Sequence, residues 1–473
     1  MSEAEADEGR AETAGSGRQD EDAAPRDGAD RMRRPRIAAA VAAAVLFAAL
    51  GTVIALTTPW NPMPGPVPGG HVEPDPALDF SPAEIARSEA FDSAINPPAY
   101  TGLVAGLALV LVLGLTPLGA RFIGWVTART RRRPMRVIAG TAALTALLRL
   151  AGLPFDVWGE SVLRRYGLST QSWPAWLTDQ LKSLGLTWVI YTVALLLLYA
   201  VVRRFPRYWW TGAATGGFLL VVLVSFIYPI AVEPVFNKFH SLRQGQLRSD
   251  LLAMAERDGV PVGDVLVADA SRRTTSLNAY VSGFGSTRRI VLYDTLLESP
   301  PERVESIVGH ELGHAKRNDV LWGTLVGALG VAGAMCLLYL LMTSPRLLRR
   351  AGVDSGGGAA EGDRDGARGA ADPRSIALVL ALVAAGTQIS APVQNLVSRK
   401  IEARADVHAL DITRDPSTFV SMQHELSVRN ISDLDPDVLE SLLWMTHPPG
   451  PGRIAMAREW ARVNNVQEPP PLR

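Results

Sequence analysis

The chain has 473 residues, 48% of them hydrophobic, and its 47 Lys and Arg residues balance its 47 Asp and Glu residues. This neutral balance gives no sign of a basic surface, so nucleic acid is not an expected partner. The single cysteine, Cys336, excludes an internal disulfide and a zinc site made of cysteines.

The chain begins with an acidic segment and a basic flank, which together occupy residues 1–36. Residues 1–30 are rich in Glu, Asp, Ala and Gly, so we expect a disordered tail. Arg31–Arg36 then precedes an apolar run that extends from Ile37 to about Thr57. A signal peptide has the same pattern. The length of the run and its lack of a clear cleavage site favour an uncleaved first membrane span.

Further apolar runs predict a mainly α-helical, polytopic membrane protein with about seven spans, since one span needs about 20 apolar residues. Spans 1–5 and their loops occupy 37–232, with a Pro-rich polar loop expected at 58–97. The sixth span falls in 306–342 and the seventh in 376–406, separated by a Gly-rich segment, 343–375, that we expect to be a flexible linker. The later runs lie near 100–120, 137–153, 184–202, 209–232 and 376–397, and the sixth extends to about Met342.

A more soluble stretch, 233–305, separates the fifth and sixth spans. Leu247–Arg257 has apolar residues at helical spacing, which predicts an amphipathic helix. Val265–Ala268 and Arg289–Tyr293 have the composition of short strands. Together with a mixed helix and loop segment at 407–473, this stretch predicts a soluble subdomain with a small β-sheet.

The segment HELGH at 310–314 predicts a metal site. Val304–Val320 should be helical, and residues four apart share a helix face, so His310 and His314 project two imidazoles toward one point. Neutral imidazole is a good zinc ligand. Glu311 is placed to act on a water molecule rather than to bind the metal. The alternative is a pair of surface histidines with a solvated Glu, but charges beside a membrane span are costly unless they are used.

A catalytic zinc needs a third protein ligand and an open position. Glu402 is the best candidate, on a helix that continues the seventh span, and Asp406 shares its face. Asp406 can accept a hydrogen bond from a ligand histidine and fix its tautomer. A second interpretation stays open at this point: both acids could be solvated among Arg399, Lys400 and Arg404, as at an ordinary charged helix end.

Several motifs, in order along the chain, resemble the M48 peptidases of the Ste24 type, the CAAX prenyl protease 1 group. The HExxH motif with a downstream ExxxD from Glu402 to Asp406 is similar to that of a gluzincin. The resemblance covers roughly 155–460 closely and the first spans loosely. The other matching pieces are EPVFNKF at 233–239, SRRT at 271–274, NAYVSGFG at 278–285, RRIVLYDTLL at 288–297, SRKIEARAD at 398–406, and THPP at 446–449 followed by Arg453 and Ile454.

The resemblance implies further site residues and an activity. Glu402 is then the third ligand of one zinc ion per chain. Asn278 and Ala279 lie on an edge strand that pairs with an extended peptide or protein substrate. His447 and Arg453 line the active site, where stabilisation of the oxyanion is the implied role. The family's spans enclose a water-filled chamber, and the implied activity is peptide-bond hydrolysis of the CAAX C-terminal type, with the HExxH glutamate as general base.

The distribution of basic residues predicts which end of the bundle faces the cytoplasm, because short cytoplasmic loops are rich in Lys and Arg. With seven spans, the basic clusters fall on the side opposite the catalytic segments. We therefore expect a multi-pass protein of the cell membrane with a cytoplasmic N-terminus and an extracytoplasmic active site, the reverse of the eukaryotic family members. The clusters are Arg31–Arg36, Arg129–Arg136, Arg203 to Arg207 and Arg346 to Arg350.

Two alternative functions remain. A quality-control peptidase that cuts misfolded membrane proteins, similar to the HtpX branch, shares the chemistry but has fewer spans. A non-catalytic membrane scaffold derived from a peptidase would have no need of all four residues His310, Glu311, His314 and Glu402.

Overall fold

The computed structural model describes residues 24–283, 285, 288–353 and 367–473. The first helix already begins at Ala24, so the basic flank is helical, whereas the rest of the expected acidic tail, 1–23, lies outside the described residues. The helices are α1 Ala24–Thr57, α2 Pro76–Asp79, α3 Pro82–Leu115, α4 Pro117–Val126, α5 Arg133–Arg165, α6 Trp173–Arg204, α7 Trp209–Ile227, α8 Glu233–Phe236, α9 Gln246–Arg257, α10 Pro301–Arg317, α11 Asp319–Met342, α12 Pro345–Arg350, α13 Ala367–Ala370, α14 Ile376–Thr413, α15 Pro416–Asn430, α16 Val438–Leu443 and α17 Gly450–Val463.

Seven of the helical segments in the described part of the chain are long and apolar enough to cross a membrane, which confirms the expected number. They belong to α1, α3, α5, α6, α7, α11 and α14. The segments are Met32–Thr57, Pro82–Leu115, Arg133–Arg165, Trp173–Arg204, Trp209–Phe236, Asp319–Met342 and Pro373–Thr413.

The second span begins earlier than the sequence suggested, because α3 starts at Pro82, within the stretch expected to be a loop. Ser81 caps this helix: its hydroxyl accepts from the Glu84 N–H, and the Glu84 carboxylate accepts from the Ser81 N–H at 2.7 Å. This reciprocal capping box, with proline at the first helical position, is a strong start signal. Pro97, the last residue of the expected loop, and Pro98 both lie inside α3.

The zinc-motif helix and the sixth span are two helices, not the single one expected over 304–320. Asn318 breaks them with a left-handed backbone (φ 55°), a conformation that asparagine tolerates better than most residues. Its side-chain oxygen accepts a hydrogen bond from Arg288 at 2.6 Å. The break changes the direction of the chain immediately after His314.

The segment 343–375 holds packed structure at both ends. Leu348 of α12 is buried, as are Ala351, Val353 and Ala370. Tyr199 of α6 and Ser375 share a hydrogen bond at 2.9 Å. The middle of the expected linker, 354–366, lies outside the described residues.

Four short strands form one mixed sheet in the order β1-β2-β4-β3. β2 and β4 pair in parallel at its centre, and both outer pairs are antiparallel. β3 is therefore an edge strand, and it lies beside α10. The strands are β1 Phe239–Ser241, β2 Asp264–Ala268, β3 Ala279–Ser282 and β4 Arg289–Tyr293.

Helix α14 joins two hydrophobic cores. Its first turns, around Leu378, pack in the core of the membrane bundle with Leu113, Leu144 and Tyr339. Its last turns, around Leu410, pack in the core of the sheet-bearing domain. At about 1.5 Å per residue, its 38 residues extend roughly 57 Å. One rigid element thus runs from the bundle into the domain that carries the HExxH motif.

Two glycines on α10 let it approach α14 closely. A Cβ on Gly313 would lie 2.9 Å from the Cβ of His408, and one on Gly309 would lie 3.1 Å from Ile412. Interiors are close-packed, so any larger residue at Gly313 would push the two helices apart.

Candidate metal centre

Three side chains from α10 and α14 converge on one point. His310 and His314, one turn apart on α10, place their Nε2 atoms 3.1 Å from each other. Glu402 of α14 places Oε2 3.2 Å from Nε2 of His310 and Oε1 3.5 Å from Nε2 of His314. Among the described residues, this is the group whose geometry could hold a metal ion. The structure thus brings together the three residues that we predicted as ligands from the sequence.

Each histidine is held by its own carboxylate through the other ring nitrogen. Nδ1 of His310 lies 2.7 Å from Asp406, which is fully buried on α14. Nδ1 of His314 lies 3.0 Å from Asp319, the first residue of α11. A carboxylate at Nδ1 fixes the proton there and leaves the Nε2 lone pair free to bind a cation. Both imidazoles therefore present a free lone pair toward Glu402.

An arginine holds each of these two carboxylates in turn. Nε of Arg453 donates to Asp406 Oδ2 at 2.8 Å, and its Nη2 contacts Oδ1. Nη2 of Arg404 contacts Asp319 at 2.5 Å. Arg453 is thus bound to the carboxylate that orients His310, a contact that the sequence pattern did not predict. Such bidentate charge-assisted bonds have a strict geometry.

Glu311 lies between the metal ligands and the edge strand. The backbone N–H of Val281 in β3 is close enough to the Glu311 carboxylate to lower the pKa of that carboxyl, against the larger effect of burial. Burial raises the pKa of the Glu311 carboxyl above its ordinary value, and the charge of Glu402 adds to the rise, while the two histidines oppose it. A carboxyl with a raised pKa is a stronger base, as proton transfer requires.

The outer edge of β3 offers backbone groups to the site. Tyr293 N–H donates to Asn278 O at 3.0 Å, so Asn278 belongs to a hydrogen-bonded pair with β4. In an antiparallel ladder such pairs alternate, so the amides of Ala279 and Val281 point away from β4. The Ala279 N–H therefore lies on the side of β3 away from β4, although the residue as a whole is only 3% exposed, whereas Asn278 exposes its side chain.

His447 approaches Glu402 from a loop after α16. Its Nε2 lies 3.3 Å from Glu402 Oε2, and its side chain is 59% exposed. Two residues of α14 hold this loop: Asn395 donates to Leu442 O at 3.0 Å, and Arg399 donates to Met445 O at 2.6 Å. The helix that carries Glu402 therefore also positions His447.

Two observations indicate that His310, His314 and Glu402 are suited to bind a cation. Oε2 of Glu402 is buried and has no hydrogen-bond partner among the described residues, a costly state for a carboxylate unless a cation binds it. The Nε2 lone pairs of His310 and His314 face each other across 3.1 Å, which is repulsive unless a positive charge lies between them. The geometry of His310, His314 and Glu402 is therefore one that could hold a metal ion.

Sequence reasoning missed Asp319 because a continuous helix would turn it away from His314. Five residues on an α-helix rotate by about 500°, which leaves it about 140° from the histidine. The left-handed Asn318 brings it back. The available signal was an asparagine followed by an aspartate directly before a long apolar run.

Comparison with family models matches most of the chain to two related families. Residues 241–461 match the model of peptidase family M48. Residues 100–238 match the model described as CAAX prenyl protease N-terminal, five membrane helices. The first range contains His310, Glu311, His314 and Glu402, and the second contains the second half of α3 and the helices α4 to α7.

Individual relatives agree with these matches. The uncharacterized metalloprotease YhfN of Bacillus subtilis is 29% identical over 388 residues, 81% of this chain and 88% of its own length. CAAX prenyl protease 1 of Saccharomyces cerevisiae is 32% identical over 181 residues, 38% of this chain and 40% of its own. A CAAX prenyl protease 1 homolog of Arabidopsis thaliana is 26% identical over 353 residues.

The fold is similar to that of a solved structure. The crystal structure of Ste24p from S. mikatae matches 89% of this chain and 98% of its own with a TM-score of 0.68, at 21% sequence identity. Both family models and the His310, His314 and Glu402 site agree with this likeness. The chain belongs to peptidase family M48 and is a multi-pass membrane metalloprotease of the Ste24 type.

Proposed function

We propose that this protein is a zinc-dependent endopeptidase that holds an extended substrate along β3 and cleaves it beside His310, His314 and Glu402. The ligand geometry carries this proposal. Tetrahedral zinc with bonds of about 2.0–2.1 Å keeps its ligands about 3.3 Å apart. The separations here are 3.1, 3.2 and 3.5 Å. Two imidazoles and one carboxylate are also the ligand set of a catalytic zinc with one open position.

When bound, zinc would supply Lewis acidity that polarises the scissile carbonyl and lowers the pKa of a water molecule in the site toward about 7. Glu311 takes a proton from that water as its oxygen bonds to the carbonyl carbon. Glu311 then delivers the proton to the amine nitrogen as the C–N bond breaks.

His447 and Arg453 act differently in this proposal. His447 is exposed and close to Glu402, so its imidazole can donate to the oxyanion that forms on the carbonyl oxygen. Arg453 is buried against Asp406, so it keeps His310 oriented rather than donating to the substrate. This revises the oxyanion role that the family resemblance implied for Arg453.

The substrate lies along β3 by β-augmentation, with the Ala279 N–H, which points away from β4, as one hydrogen-bonding partner. A cavity of about 550 Å³ adjoins the same strand. It is lined mainly by apolar side chains, among them Leu220, Val224 and Tyr228. Such a cavity suits aliphatic residues and a lipid group, which supports CAAX-type C-terminal processing.

In this proposal the spanning helices enclose a space that contains water. Arg149 and Asp156 of α5 form an ion pair of 2.9 Å within a spanning segment, and both side chains are about one-third exposed. Arg149 also contacts Gln180 of α6. Charged groups at this depth need water or polar partners. A water-filled chamber between the spans, open to the extracytoplasmic site, satisfies that need.

Peptide cleavage by the purified full-length protein tests the function. The protein should cleave a farnesylated peptide that ends in Cys-aliphatic-aliphatic-X, and the activity should vanish with a zinc chelator and return with Zn²⁺. Failure of a zinc-loaded protein to cut any peptide would contradict the enzyme. A kcat/KM that is the same without the farnesyl group, together with rapid cutting of misfolded membrane proteins, would favour the quality-control alternative.

A further inference from the structure

A second cavity, of about 320 Å³, lies where spans α1, α11 and α14 meet. We call it the interfacial cavity. One part of its wall is apolar, with Ile54, Val326 and Ile401. The other part is polar and basic, with Thr58, Arg317 and Arg404. It is separate from the proposed substrate path along β3, because none of the residues that line it belongs to that strand.

The polar part lies at the membrane boundary. Span α1 ends at Thr57 and span α11 begins at Asp319, and both of these residues line the cavity. Trp322 also lines it and is 50% exposed, and Trp60 is 42% exposed just beyond the end of α1. Exposed tryptophans concentrate at the headgroup level of bilayers. The basic part is therefore at the depth of lipid headgroups, and the apolar part is at the depth of acyl chains.

Two polar groups in this cavity lack protein partners. Thr58 is only 7% exposed, and its hydroxyl makes no hydrogen bond within the described part of the chain. Arg317 makes no ion pair with any described residue and is exposed. Arg404, in contrast, is engaged by Asp319. One free cation and one buried unpaired hydroxyl thus lie next to an apolar slot.

We propose that the interfacial cavity binds one phospholipid with an anionic headgroup. The phosphate accepts from the Arg317 guanidinium and the Thr58 hydroxyl, and an acyl chain lies along Ile54 and Val326. Basic pockets between spanning helices bind anionic headgroups in this way. The occupant is an amphiphile rather than a free anion, because the apolar wall continues from the basic one.

Native mass spectrometry of the full-length protein in mixed phosphatidylglycerol and phosphatidylcholine tests this proposal. The wild-type protein should retain phosphatidylglycerol selectively. Arg317→Gln should weaken that retention roughly ten- to a hundredfold, the loss expected for one charge-assisted hydrogen bond. Arg317→Lys should keep most of it. Arg243→Gln, which removes an exposed arginine from the sheet-bearing domain, should leave retention unchanged.

A second variant keeps the test decisive if Arg317→Gln folds poorly. Val326→Phe fills the apolar slot and leaves Arg317 in place, so it should also lower retention. Equal retention of both lipids by the wild-type protein, or full retention by both variants, would overturn the proposal. Displacement of phosphatidylglycerol by inorganic phosphate alone would show an anion site rather than a lipid site, and would overturn it as well.

Discussion

At the residue scale, each ligand histidine has its own aspartate and arginine. Asp406 with Arg453 serves His310, and Asp319 with Arg404 serves His314. The sequence predicted Asp406 because it is four residues from Glu402 on the same helix. It did not predict Asp319, since that contact depends on a left-handed residue between two helices.

We predict that Asp319→Asn lowers zinc affinity by about 10- to 100-fold, as loss of a ligand's carboxylate partner does. The amide can no longer fix the His314 tautomer by accepting a strong charge-assisted bond. Competition of the purified variant with a zinc chelator measures the affinity.

Asp258→Asn is the matched control for this substitution. Asp258 also contacts a histidine, His408, at 3.0 Å, but His408 is not a ligand. The zinc affinity of the Asp258→Asn protein should equal that of the wild-type protein. Equal affinities for all three proteins would show that Asp319 does not support the metal site.

At the element scale, the site depends on the close approach of α10 and α14. We predict that Gly313→Ala lowers the midpoint temperature of thermal unfolding, because the new Cβ would lie 2.9 Å from His408. Overpacking of this kind costs about 1–3 kcal/mol. Thermal unfolding of the purified protein in detergent measures the shift.

Gly327→Ala on α11 separates this effect from a general effect of removing glycine. No atom lies within 4 Å of a Cβ at Gly327. Since alanine is the better helix former, this variant should unfold at the same or a slightly higher temperature. A Gly313→Ala protein as stable as the wild type would contradict the close-packing account.

At the scale of the whole molecule, basic residues gather at the end of the bundle away from the metal site. Arg36 at the start of α1 donates to Thr343 O at 2.9 Å, and the Arg207 carbonyl accepts from Tyr339 at 2.8 Å. Both contacts lie near the end of α11. From the positive-inside rule we propose that this end is cytoplasmic and that the active site is extracytoplasmic.

Cysteine labelling of intact cells tests this orientation, since the chain has one native cysteine. In a Cys336→Ser background, Arg243→Cys in the sheet-bearing domain should react with an impermeant maleimide. Arg131→Cys, in the loop between α4 and α5, should react only after permeabilisation. The opposite pattern would reverse the orientation.

The sequence predicted the seven spans and the two histidines because both depend on local patterns: apolar length for the spans and four-residue spacing for the histidines. Glu402 was a candidate by its place on the helix after the seventh span, and the family resemblance made it the third ligand. The sequence misplaced the start of α3, because the Pro-rich and polar composition of 58–97 predicted a loop and the capping box at Ser81 and Glu84 was not used. It also joined α10 to α11, because only the backbone conformation of Asn318 separates them. The Asn278 carbonyl points toward β4 rather than toward a substrate. This direction depends on the register of β3 with β4, which no local pattern encodes.

The central claim is that His310, His314 and Glu402 hold a catalytic zinc while Glu311 acts as the base. Metal content and peptide turnover, measured together on purified Glu311→Gln and Glu402→Ala proteins, test it most directly. We expect Glu311→Gln to keep one zinc per chain and lose turnover, and Glu402→Ala to lose the zinc itself. Full turnover by Glu311→Gln, or one tightly bound zinc in Glu402→Ala, would contradict the claim.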